Sequence, residues 1–149
     1  MKKLLILLCI SSLFACTNAG TEKKETIQAP EETHHEATEL ALNNGARWKS
    51  DESTNKNVAE LEAITDRFTT NQPKLTADFT SVANELQTGL DKMIKECRMQ
   101  GADHEALHQW LEPLMKNVNE LKKANDEKEA SKLFNEISEQ LINYHQYFE

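Results

Sequence analysis

Glycine, proline and cysteine are scarce in this chain, with four, three and three copies in 149 residues, and aromatic residues are limited to two Trp, two Tyr and five Phe. So few turn-forming residues, together with Val and Ile that do not alternate with polar neighbours, exclude a fold of many short strands. Three cysteines cannot build a disulfide framework. Positive charge is also short: 17 Lys and Arg face 25 Asp and Glu, for a net charge of −8. That balance argues against nucleic acid as a partner and against an electrostatic hold on anionic head groups. No glycine-rich phosphate loop, HExxH pair or Ser/His/Asp order is present, and the chain is read as a non-enzyme.

What the chain does have begins at its start. Met1-Lys2-Lys3 is a short basic stretch, followed by the apolar run Leu4 to Ile10, which is too short to span a bilayer. Ser11 and Ser12 lead to Leu13-Phe14-Ala15-Cys16. This order reads as a signal peptide over residues 1–15, and the last four residues resemble the lipobox of bacterial lipoproteins. The resemblance implies that Cys16 becomes the lipidated first residue of the mature chain. The protein is then held to a membrane by acyl chains and stays in the cell envelope, facing the periplasm or the exterior. Loss of Lys2 and Lys3 takes the net charge from −8 to −10. Cys9 leaves with the signal, so Cys97 is the one free thiol of the mature chain.

Residues 16–39 are rich in Thr, Glu, Lys and Ala, contain Pro30 and His34-His35, and hold almost nothing apolar. They bury too little surface to offset the entropy of ordering and read as a flexible tether, with the two histidines solvated. Leu40 to Trp48 ends the tether, and its Leu and Trp residues predict a strap packed on the end of a domain over residues 40–149.

Four amphipathic segments follow. The first runs from about Ser53 to Thr70, with Val58, Leu61, Ile64 and Phe68 on one face, and stops at Asn71-Gln72-Pro73. The second runs from about Thr76 to Met99 and places Leu75, Phe79, Val82, Leu86, Leu90, Met93 and Cys97 at steps of three and four, with Gly101 as its stop. Gly89, in mid-helix, costs about 1 kcal/mol against Ala unless a neighbouring helix packs close there. The third has Asp103 as N-cap and carries His104, Leu107, His108, Leu111, Met115, Val118 and Leu121 or Lys122 on its inner side; Pro113 is expected to kink it or to shift its hydrogen bonding. The fourth, after Asn125-Asp126, uses Ala130, Leu133, Phe134, Ile137, Leu141, Tyr144 or His145, and Phe148. Short connections between such helices predict an all-α, antiparallel up-down-up-down four-helix bundle. Glu60, Lys92, Glu120, Lys132 and Glu139 are expected on its outside.

In that topology the end of the second helix, the start of the third and the end of the fourth share one bundle end. Cys97, Met99, His104, His108 and His145 are then collected there, with His104 and His108 one turn apart on one face, as two metal-binding imidazoles require. Thiolate and imidazole suit zinc, and thiolate, thioether and imidazole suit reduced copper. The alternative reading makes Cys97 a small buried hydrophobe and the histidines structural. Glu96, Asp103 and Glu105 nearby read as caps and supporting groups.

Leu121-Lys122-Lys123-Ala124-Asn125 and Asn143-Tyr144-His145-Gln146 resemble the last two helices of the small soluble periplasmic b-type cytochromes, which are four-helix bundles. His108-Gln109-Trp110-Leu111 and, more loosely, Leu90-Asp91-Lys92-Met93 extend the likeness over about half the chain. The resemblance implies haem b as a cofactor, with His145 matching the family's histidine ligand near the end of the fourth helix and His108 or Met99 available as a second. The family's methionine in the first helix has no counterpart, since the mature chain's methionines are Met93, Met99 and Met115. The reading that follows is an envelope lipoprotein whose bundle binds copper or zinc at one end, with Cys97 and His108 as the main ligands. A haem-binding electron-transfer protein and a ligand-free module that docks an envelope protein partner are the alternatives.

Overall fold

The computed structural model describes residues 40–70 and 75–149. The expected signal peptide, Cys16, the expected tether with His34-His35, and Asn71-Gln72-Pro73 lie outside the described residues. Within them the fold is all-helical: α1 (Glu52–Thr70), α2 (Thr76–Glu96), α3 (Gly101–Lys123) and α4 (Glu127–Tyr147), with two isolated β-bridges and no strand among the described residues.

Local chemistry sets most of the helix ends. Asp126 is the N-cap of α4, its carboxylate accepting the Glu129 N–H at 2.9 Å. At α2 the Asp78 carboxylate reaches back to accept the Leu75 N–H at 2.7 Å, which is half of a capping box. Asp51 precedes α1 and accepts the Thr54 N–H at 2.6 Å, the N-cap bond of that helix. Two sequence expectations are corrected at the α2–α3 link. α2 ends at Glu96, three residues before Met99, because Cys97 turns the backbone to φ −57 and ψ 132. Gly101 is the first residue of α3, at φ +64, and Asp103 lies inside the first turn, where it accepts the Lys49 N–H at 3.0 Å. α3 runs on through Pro113, which is exposed.

The core contains the expected stripes of α1, α2 and α4, except that Leu75, directly before α2, is 59% exposed and lies outside it. On α3 the buried stripe is turned from the expected one. Ala106, Trp110 and Leu114 are buried beside Leu107, Leu111, Val118 and Leu121, while His108 is exposed and is not on the inner side. The aromatic contacts give the reason. Trp110 lies 4.9 Å from the ring of Tyr144 and 6.4 Å from that of Phe148, and its indole N–H donates to the Gln140 carbonyl at 3.1 Å, while Gln140 Nε2 donates to the Trp110 carbonyl at 2.6 Å. Rotating α3 to bury His108 would remove Trp110 from that contact. On α4, Tyr144 is buried and His145 exposed.

Residues of α1 pair with successively earlier residues of α2. Ser53 Oγ donates to the Glu96 carbonyl at 3.0 Å, Asn57 Nδ2 to Glu96 Oε2 at 2.9 Å, Lys92 to Glu60 at 2.6 Å, and Arg67 to Glu85 at 3.3 Å. Phe68, Phe79 and Phe134 form one aromatic cluster, with centroids 4.6 to 6.2 Å apart, joining the end of α1 to the starts of α2 and α4. Gly89 has its physical reason here: a Cβ at that position would come within 2.7 Å of Leu61 Cδ2. α1 and α2 are therefore packed too closely at that level for any larger residue to enter without movement.

The strap is tied to the end of α4. Asn44 and Gly45, both at positive φ, form a tight turn closed by paired backbone bonds between Asn43 and Ala46. Trp48 then bridges Phe148 in parallel, its N–H donating to the Tyr147 carbonyl at 2.7 Å and its carbonyl accepting the Glu149 N–H at 3.0 Å. Leu40 and Trp48 are half-buried against the core.

Candidate metal centre

The first turn of α3 is fixed through Asp103 to Lys49, the residue after the strap, and the first two turns present His104 and His108. A four-residue step on a helix brings side chains to one face, and here the two Nε2 atoms lie 3.1 Å apart, with ring centroids at 4.5 Å and planes at 80°. In the absence of a metal this contact is a hydrogen bond in which one ring donates and the other accepts, so the two imidazoles take complementary tautomers. Two nitrogens bound at about 2.0–2.1 Å to one ion stand about 3.3–3.4 Å apart in a tetrahedron, and about 2.9 Å apart as neighbours in a square plane. The observed separation of 3.1 Å lies between these values. His104 is half-buried and His108 exposed.

The other residues expected in the site have different neighbours. Cys97 caps α2, donating its N–H to the Met93 carbonyl at 2.9 Å, and its free thiol is half-buried against the core. Met99 is 9% exposed, and its Sδ lies 3.6 Å from the Ser50 hydroxyl, which donates to it. His145 extends from α4 to α1, where Nε2 is 2.9 Å from Glu62 Oε1, with 60% of its side chain exposed. Among the described residues, no three or more His, Cys, Asp and Glu side chains are grouped so as to hold a metal ion. The structure therefore brings His104 and His108 together and places Cys97, Met99 and His145 outside such a group.

Beside Met99 is a polar cluster that spacing did not reveal. Tyr144 Oη lies 2.7 Å from Ser50 Oγ and 2.8 Å from Asn55 Oδ1, and its single proton serves one of the two at a time. Burial pushes the Tyr144 phenol up to about 12; the Ser50 contact opposes this, and the negative charges of Asp51 and Glu62 add to it. Asp51 is the opposite case. Burial alone would raise it, but the backbone N–H groups of Thr54 and Arg98 and the Ser53 hydroxyl outweigh that and hold its carboxyl at about 2. Asp51 directly before a helical run is an N-cap signal legible in the sequence, whereas the reach of Tyr144 to Ser50 depends on how the strap docks. Thr54 Oγ1 and Asn57 Oδ1 are buried here and meet no hydrogen-bond partner among the described residues.

Comparison of the chain with protein-family models, with curated proteins and with solved structures finds no match. The functional reading therefore stands on the residues and their geometry.

Proposed function

We propose that this chain is a lipid-anchored cell-envelope protein that folds as an antiparallel up-down-up-down four-helix bundle and binds a copper or zinc ion at the start of α3. The observation that carries the reading is the His104 and His108 pair, with Nε2 atoms 3.1 Å apart on adjacent turns and the His108 ring open to the surface. The reversed order of the α1–α2 contacts, from Ser53 with Glu96 to Arg67 with Glu85, supports the antiparallel topology. The Leu13-Phe14-Ala15-Cys16 run supports the anchor. Imidazole nitrogen is a borderline donor that suits both zinc and copper. The pair belongs to one helix whose first turn is bonded to the strap through Asp103, so little chain entropy is lost when an ion is held.

The test is metal content and visible absorption of the mature chain purified from the envelope, beside His108→Ala and Cys97→Ser variants. Copper or zinc that is retained by the parent chain and lost in His108→Ala establishes the pair as the site. A Soret band moves the answer to haem, and a colourless chain that takes up none of copper, zinc or haem leaves the interaction module. For the anchor, radiolabelled palmitate incorporation that disappears in Cys16→Ser is expected; incorporation that survives the change removes Cys16 as the lipidated residue.

A further inference from the structure

Two imidazoles fill only half of a zinc shell. Zinc held in a structural site takes four ligands in a tetrahedron, and in a catalytic site at least three from protein. His104 and His108 supply two, and among the described residues no third His, Cys, Asp or Glu is grouped with them. Asp103, the nearest carboxylate along the chain on the N-terminal side, is already committed to the Lys49 N–H.

The surroundings bear on where the remaining ligands come from. His108 is exposed, and Gly101 and Ala102, about two turns earlier, are exposed residues with little or no side chain. A Cβ built on Gly101 meets nothing within 4 Å, so the start of α3 is open to the approach of another surface. Glu105 and Glu112 flank the pair and are also exposed. Two copies of such an acidic surface repel each other, and a divalent cation placed between them reverses the sign of the interaction. The whole chain carries −8, which opposes association without the ion.

Building on the metal-binding reading above, we propose that the His104 and His108 pair is a half-site, and that one zinc ion joins two copies of this chain, each giving the same two imidazoles across a twofold axis. The contact is isologous, with one patch used by both copies, so it closes at the dimer. The four ligands are neutral, so the ion keeps its full charge, and Glu105 and Glu112 of both copies are placed to offset it. Both histidines sit on one rigid helix, which gives the second copy a fixed pair of nitrogens to meet.

The experiment is zinc titration of the purified full chain, followed by light scattering after size exclusion together with metal analysis of each peak. The expected result is a change from the monomer mass to twice that mass, with one zinc ion per two chains, reversed by EDTA. The change is absent in His104→Ala and in His108→Ala and intact in Cys97→Ser, which excludes a disulfide through Cys97. Circular dichroism checks that the histidine variants keep their helices. One zinc per chain at monomer mass overturns the bridge and leaves the metal-binding function standing. A dimer that survives EDTA or both histidine changes also overturns it. No zinc bound at all removes the half-site and the zinc form of the metal-binding reading together.

Discussion

Asp51 Oδ2 accepts the Arg98 N–H at 2.6 Å while Asp51 Oδ1 accepts that of Thr54 at 2.6 Å, so the carboxylate that caps α1 also holds the link between α2 and α3. Asp51→Ala loses a cap worth about 1 kcal/mol and leaves the Arg98 amide without its acceptor, for a total cost of about 2–3 kcal/mol in denaturant unfolding. The folded-state carboxyl is depressed, from 3.8 to about 2, so its contribution is present above the unfolded value and is lost as pH falls through the folded one. Partial exposure to water discounts that contribution to roughly 1–2 kcal/mol. Between pH 4 and pH 2 the parent chain should therefore lose more stability than Asp51→Asn. Parallel acid limbs for the two proteins would show that the carboxylate charge is not what the site uses.

Tyr144 joins α4 to the strap and α1 through Ser50 and Asn55. Tyr144→Phe keeps the ring against Trp110 and Phe148 but leaves these two polar groups without the phenol, and it should cost about 1–2 kcal/mol. The phenol is raised to about 12, so the folded state favours the neutral form, and stability that is complete below pH 10 falls as pH rises toward 12. Absorbance at 295 nm should show one late-titrating tyrosine in the parent that is missing in Tyr144→Phe; an unchanged titration curve would place the late proton elsewhere.

Much of this fold was legible because the four segments carry sustained apolar spacing, and the Asp126 cap was visible as a turn residue before such a run. The α2–α3 link was not. Cys97 continues the apolar stripe of Leu90 and Met93, so spacing alone extends the helix, yet Cys97 turns the backbone with neither Gly nor Pro to mark it. Gly101 was visible as a special residue, but its positive φ opens α3 instead of closing α2. The His104 and His108 pairing follows from local helix geometry and could be read directly. The link from His145 to Glu62 spans two helices, and the rotation of α3 that exposes His108 is set by the packing of Trp110 on Tyr144. Neither is encoded in spacing along one segment.

Zinc binding to the folded chain alone should raise its stability by mass action, by about 2.7 kcal/mol when free zinc is a hundredfold above the dissociation constant. Thermal unfolding with and without zinc measures this directly. The midpoint of the parent should rise, and that of His104→Ala should not move. A rise of equal size in His104→Ala would assign the ion to other donors.

Gly89 and Leu61 should behave as a coupled pair. Alanine at position 89 gains about 1 kcal/mol of helix propensity. Its methyl, however, would stand 2.7 Å from Leu61 Cδ2, and Leu61 is a core residue only 1% exposed. A buried leucine in a filled core has few free rotamers, so relief requires Leu61 to leave its rotamer or α1 to shift, at about 1–3 kcal/mol. Repulsion exceeds propensity, and Gly89→Ala is expected to destabilise by about 1 kcal/mol. Leu61→Ala alone costs about 2–5 kcal/mol through lost burial and the cavity it leaves. In the double variant the added methyl meets no leucine and partly fills that cavity, so Gly89→Ala should become stabilising in that background. A double-mutant cycle by urea unfolding measures the coupling, and additive single effects would show that the close approach of α1 to α2 does not decide the residue at position 89.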